Sequence, residues 1–160
     1  MIDSEPDAAP PSTPAELAAL ELLVDDWCRD HVAQQPFVGA VERDPGPEPR
    51  WYLRLIGDEK PVFTVWMSLR QRTFHVETYL MPAPLERHAE LYEYLLRRNR
   101  RLYGMSFTIG LEDAIYLEGQ VPNVAVTEAE LDRLLGSAYA YTEAHFRAAM
   151  RIGYGDRFTG

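Results

Sequence analysis

The sequence predicts an α+β domain, with a helix, an antiparallel meander, a second helix, a β-hairpin and a third helix in chain order. Three observations carry that prediction. Phe74, Val76, Thr78 and Leu80 alternate with Thr73, His75, Glu77 and Tyr79, the period-2 signature of a half-buried strand. Directly after Met81-Pro82-Ala83-Pro84 the period changes, and Leu85, His88, Leu91, Tyr92, Leu95, Leu96, Asn99, Leu102 and Tyr103 recur at helical spacing. Finally, Thr13-Pro14-Ala15-Glu16 and Thr127-Glu128-Ala129-Glu130 read as capping boxes, each opening an amphipathic run.

Residues 1–12 hold Asp3, Glu5, Asp7 and three prolines with one large apolar side chain, too little to repay the entropy of ordering. They are expected to form a disordered, acidic, proline-rich tail. Residues 13–153 are expected to form a single domain and 154–160 a short C-terminal tail. The first helix starts at the Thr13 cap with proline at its first position and buries Leu17, Leu20, Leu23, Val24, Trp27 and Cys28, ending near Ala33 ahead of Pro36. Phe37–Glu42 is a candidate edge strand, weakened by Gly39 and the proline-rich loop after it. Trp51–Ile56, Val62–Leu69 and Thr73–Leu80 complete the meander, the middle one apolar enough for a central place in the sheet. A helix over 85–103 follows, closed by Gly104. Met105–Ile109 and Ala114–Glu118 form the hairpin. The last helix buries Leu131, Leu134, Leu135, Ala138, Tyr139, Thr142, Phe146, Ala149 and Met150, and Gly153 and Gly155 end it.

A chain of 160 residues is one domain, able to bury roughly 70% of its unfolded surface around one core. Its net charge of −9 opposes binding to nucleic acid or to an anionic membrane surface. Cys28 is the only cysteine, so no internal disulfide and no thiolate cluster can form. Met1–Pro11 lacks the charge and apolar run of a signal peptide, and no window reaches the roughly 18 apolar residues of a membrane span, so a cytoplasmic protein is expected.

Sites of chemistry are scarce. His31, His75, His88 and His145 show no metal-ligand spacing, and there is no nucleophile elbow, phosphate loop or dinucleotide fingerprint. No catalytic residue, metal or cofactor is expected. Cys28 lies on the apolar stripe beside Trp27, where a thiol packs rather than reacts. His88, flanked by Glu86 and Glu90, is the one arrangement an enzyme could use, and it is also an ordinary first-turn dipole pattern. Arg97, Arg98, Arg100 and Arg101 are the strongest charge feature. They could grip an acidic peptide or an anion bidentately, and they equally complement a helix C-terminus, with Glu93 placed to pair with Arg97.

The aromatic residues concentrate on the meander and the last helix. Three helices are too few to cover both sides of a five-stranded sheet, so one apolar face is left for a partner, most economically a second copy.

Met81-Pro82-Ala83-Pro84 followed by Ala89-Glu90-Leu91-Tyr92-Glu93-Tyr94-Leu95-Leu96-Arg97-Arg98-Asn99, with Ile115-Tyr116-Leu117 and Val126–Leu135, resembles the actinobacterial branch of the YbjN-domain proteins over about Trp51–Gly153. The resemblance implies a two-layer fold similar to type III secretion chaperones, commonly paired as a homodimer, and labels such as sensory transduction regulator; it supplies no catalytic residues. The turn at Leu111–Ala114 is shorter than the acidic hairpin common in the family. Together these readings predict a non-enzymatic, cytoplasmic homodimer that binds an unidentified protein or peptide. The alternative is a small-molecule-sensing domain with a pocket between the central helix and the sheet.

Overall fold

The computed structural model describes residues 9–44 and 46–159. Helix α1 spans Pro14–Asp30, and a 3₁₀ turn over Val32–Gln34 leads into strand β1, Val38–Asp44. Strands β2 (Arg50–Ile56), β3 (Val62–Leu69) and β4 (Thr73–Met81) follow, then α2 (His88–Asn99), β5 (Ser106–Ile109), β6 (Ile115–Pro122) and α3 (Glu128–Tyr154). The six strands form one antiparallel sheet in the order β1-β2-β3-β4-β6-β5. The candidate edge strand therefore exists. The hairpin's second strand runs past Glu118 to Pro122, because it pairs with the full length of β4 as well as with β5.

All three helices pack on one face of this sheet. Leu53, Val65, Val76 and Leu117 project from four neighbouring strands into a core shared with Trp27, Leu91, Leu131 and Ala138, each fully or almost fully buried. Indole N–H groups stitch the layers at the rim of that core. Trp27 Nε1 donates to Asp132 Oδ1 (2.8 Å), joining α1 to α3, and Trp51 Nε1 donates to Asp25 Oδ1 (2.9 Å), joining β2 to α1. A buried indole needs such an acceptor.

The first capping box forms as expected, with Thr13 Oγ1 accepting from the Glu16 amide and the Glu16 carboxylate returning to the Thr13 amide. The second is half of one. Thr127 Oγ1 accepts from the Glu130 amide, but the Glu130 carboxylate turns to Arg133, whose guanidinium lies 4.6 Å from the Tyr103 ring centre.

The central helix begins at His88 rather than Leu85. Arg87 takes a left-handed backbone conformation (φ 51°), and the amides of Leu85 and Glu86 donate to the carbonyl of Gly153. The Arg87 guanidinium donates to the carbonyls of Ile152 (2.9 Å) and Arg151 (2.8 Å). The proline-containing corner thus satisfies the orphan carbonyls at the end of α3, at the expense of one turn of α2. Gly153 lies inside α3 rather than ending it, and a Cβ there would sit 2.9 Å from Met81 Cε and 3.0 Å from Pro84 Cβ. Gly155 (φ +55°) is the terminator.

Both expected tails are partly built into the domain. Residues 1–8 lie outside the described residues, but Ser12 is buried: its amide donates to the Gln71 carbonyl (2.8 Å), and its hydroxyl accepts from Asn123 Nδ2 (2.9 Å). Phe158 packs edge-on against Phe146, with ring centres 5.9 Å apart.

β3 and β4 separate beyond the Val65–Thr78 pair. Lys60, from the β2–β3 turn, fills the gap and donates to the carbonyls of Tyr79 and Leu80, which lack a β3 partner there. Burial pushes its pKa down to about 8. The turn itself is held by Glu143 of α3, whose carboxylate accepts from the amides of Asp58, Glu59 and Lys60.

Candidate functional site

Because side chains alternate along a strand, the sheet has a second face, and none of the three helices covers it. Its residues fall in rows fixed by the register. The central row crosses all six strands as Glu42, Tyr52, Trp66, Glu77, Glu118 and Ser106. A flanking row runs Asp44, Arg50, Ser68, His75 and Gln120. On the other side Tyr79 pairs with Tyr116, their rings meeting edge to face with centres 5.6 Å apart. Ile56 and Val62 stand exposed at the end of the β2–β3 hairpin. Tyr52, Trp66, Tyr79 and Tyr116 are each partly buried by their neighbours on this face and partly open to solvent.

The open face was expected, but its chemistry corrects the expectation. It is not a plain apolar surface: aromatic rings alternate with His75, Glu77, Glu118, Arg54 and Gln120. The sequence pattern hides this, since the residues of one face come from six separate strands.

Three of those polar groups converge. His75, Glu77 and Glu118 each offer one donor atom, and the three atoms lie within 4.8 Å of one another. His75 Nε2 is 3.9 Å from Glu118 Oε1, and Glu118 Oε2 accepts from the Thr108 hydroxyl at 3.1 Å. Burial, with the nearby Arg70 guanidinium, lowers the His75 pKa. Sequence spacing missed the group because Glu118 comes from a strand 41 residues beyond Glu77; the one local signal was the His-x-Glu alternation that places two donors on one strand face.

The arginines predicted as a contact site occupy a different place. Arg97 is exposed and pairs with Glu93 at 3.5 Å, and Arg98 lies over the Tyr94 ring at 4.9 Å. With Arg100 and Arg101 just past the end of α2, they line a groove of ≈ 440 Å³ whose walls are Tyr94 and the arginines themselves. Among the described residues Arg100 and Arg101 make no ion pair. This groove lies along the helix, whereas Leu91 and Leu95 fill the space between α2 and the rest of the domain, where a sensing pocket was expected.

The remaining candidates resolve simply. His88 is exposed and edge-on to Tyr92, while Glu86 and Glu90 face Arg87 instead, at 3.9 and 3.7 Å. His145 accepts or donates at Nδ1 with the Tyr94 hydroxyl (3.0 Å), and burial lowers its pKa. Cys28 is buried, and burial pushes its thiol pKa up to about 12, as an unreactive packing residue requires.

Comparison with known proteins agrees with this architecture. Residues 12–150 match the profile of the YbjN family, described as "Putative bacterial sensory transduction regulator". The chain is 34% identical over 112 residues to an uncharacterized protein of Mycobacterium tuberculosis, covering 70% of this chain and 61% of that protein, and 31% identical over 105 residues to one of Mycobacterium leprae, covering 66% and 57%. It therefore spans less than two thirds of the length of these relatives. Among solved structures, a chain of the HopA1–SchA chaperone–effector complex superposes with TM-score 0.57 at 16% identity, over 86% of this chain and 99% of that one. A chain of the ExsC–ExsE complex gives 0.53 at 16% identity, over 81% and 92%. The chain belongs to the YbjN family, and its fold is that of the type III secretion chaperones.

Proposed function

We propose that this YbjN-family chain is a non-enzymatic protein-binding module, chaperone-like or regulatory, acting in the cytoplasm as a homodimer. The observation that carries this reading is the sheet face that no helix covers among the described residues, where Tyr52 and Trp66 stand side by side in a row crossing six strands. Aromatic side chains give large contact area at low entropic cost, and the polar groups between them select register. A segment laid across this face gains that area without any rearrangement of the core. The arginines at the end of α2 offer a second contact, suited to acidic residues of the same partner. The superposition on chains from chaperone–effector complexes supports a polypeptide as the ligand class.

The test is a peptide array of extended, aromatic-containing segments, probed with the wild type and with Trp66→Ala. Binding that falls about tenfold or more in the variant, with the melting temperature retained, is the expected result, since a well-packed aromatic contact contributes more than about 1.4 kcal/mol. Binding unchanged by the substitution removes the sheet face from the reading. Multi-angle light scattering at micromolar concentration is expected to give the mass of a dimer; a monomer mass removes the homodimer.

A further inference from the structure

Glu77 and Glu118 face each other directly across the β4–β6 ladder. Like charges in opposed positions of an antiparallel pair are destabilising, and natural sheets usually place a cation or a neutral partner there. Among the described residues neither carboxylate has a lysine or arginine ion pair. Arg70, which lines the same hollow as His75 and Glu118, is engaged with Glu48 at 3.3 Å. What does face the pair is the His75 imidazole, its side chain 13% exposed and its Nε2 3.9 Å from Glu118 Oε1.

We propose that His75, Glu77 and Glu118 form a binding site for a divalent first-row transition ion, of which Zn²⁺ is the natural probe. Imidazole nitrogen and carboxylate oxygen are both zinc ligands, and three protein ligands leave a fourth position open. Ligand atoms around such an ion lie about 2.0–2.2 Å from it, so roughly 3.4 Å from each other in a tetrahedral arrangement. The three donors here lie within 4.8 Å of one another, and small side-chain rotations close that distance without moving the backbone. The scaffold is rigid: two donors lie on β4 and one on β6, strands paired from Thr73 to Met81, so the site does not depend on a loop. Thr108 of β5 supplies the outer support, donating to Glu118 Oε2 and leaving Oε1 turned toward His75. The imidazole and the small number of oxygens disfavour Mg²⁺ and Ca²⁺, which require oxygen-rich shells. His75 and Glu118 border a hollow of ≈ 580 Å³ that is also lined by Arg70, Gly104, Met105, Ser106, Gly119 and Gln120, which leaves room beside the donors for a further ligand.

This inference goes beyond the protein-binding reading and does not rest on it, because the metal alone is the probe. Isothermal titration of the tag-free, chelator-treated chain with ZnCl₂ is expected to show one equivalent bound, and with MgCl₂ none. His75→Gln and Glu77→Gln are each expected to weaken Zn²⁺ at least about tenfold, and Thr108→Val by a smaller factor, while Glu93→Gln on the surface of α2 leaves the titration unchanged. A melting temperature that rises with Zn²⁺ in the wild type and not in Glu77→Gln is the second readout. No stoichiometric heat in the wild type overturns the proposal, and so does equal binding in the wild type, His75→Gln and Glu77→Gln. The Gln variants remove charge or donor geometry from half-open positions, and circular dichroism of each variant verifies that its fold is intact.

Discussion

The two faces of the sheet are built from the same strands, and they differ in everything except backbone. On the helix side, Leu53, Val65, Val76 and Leu117 are sealed; on the other, Tyr52, Trp66, Glu77 and Glu118 alternate with them residue by residue and remain partly open. The difference shows how one strand divides its labour. The covered residues specify the fold, and their neighbours are released from that duty to carry charge, hydrogen bonds and aromatic surface. A substitution on the first face should therefore be felt mainly in stability, and one on the second mainly in what the protein binds.

The sharpest way to break this comparison is at Leu53, which is fully buried in the middle of β2. Leu53→Ala removes buried methyl groups and leaves a cavity in the core between the sheet and the helix layer, and should cost about 2–5 kcal/mol of unfolding free energy in urea titration. A cost below about 1 kcal/mol would mean that the helix layer is not packed on this face as described.

An intermediate effect is expected at the seam between the faces, where Lys60 plugs the gap between β3 and β4. Its folded pKa is lowered from 10.5 to about 8, by burial. The folded state then binds fewer protons than the unfolded state between about pH 8 and 10.5, so this lysine's contribution to stability rises with pH across that window and is lost as pH falls through about 8. The carbonyls of Tyr79 and Leu80 accept from the ammonium and favour its charged form, which opposes the burial effect. The wild type should gain on the order of 1 kcal/mol relative to Lys60→Met between pH 7.5 and 9.5 in parallel urea titrations. Parallel pH profiles would show that Lys60 titrates as though in solvent.

How much of this could be read in the chain follows the same division. The covered face was legible, because burial imposes periodicity: the meander strands, the first and last helices and the Thr13 cap stand where alternation and capping chemistry put them. The start of α2 was not legible. Its apolar spacing begins at Leu85, but the amides of Leu85 and Glu86 serve the carbonyl of Gly153, a partner 68 and 67 residues away that local pattern cannot show. The same holds for Ser12, whose place in the domain depends on Asn123. The Arg97–Arg101 cluster was legible as charge and not as geometry, since only the structure shows Arg98 lying over Tyr94 and the groove running along the helix. Least legible was the His75–Glu77–Glu118 group: which residue of β6 opposes Glu77 is a matter of strand register, set by the packing of the other face.

The smallest effect is expected on the open face, and it tests that last dependence from the opposite direction. Tyr52 sits in the central row between Glu42 and Trp66, contributing a ring to the exposed surface and nothing to the core. Tyr52→Thr keeps a residue of high strand propensity, so the pleat and its hydrogen bonds persist, and what is lost is cross-strand contact of the ring with Trp66, on the order of 0.2–1 kcal/mol. Urea titration should find a change within that range with the dependence on denaturant concentration unaltered, because no core surface is uncovered. A loss of several kcal/mol would mean that Tyr52 holds the register itself, and that the open face is as much a structural element as the covered one. A small loss accompanied by weaker peptide binding would place the two duties on opposite sides of the same strand, which is what the alternation of buried and half-open residues along β2 requires.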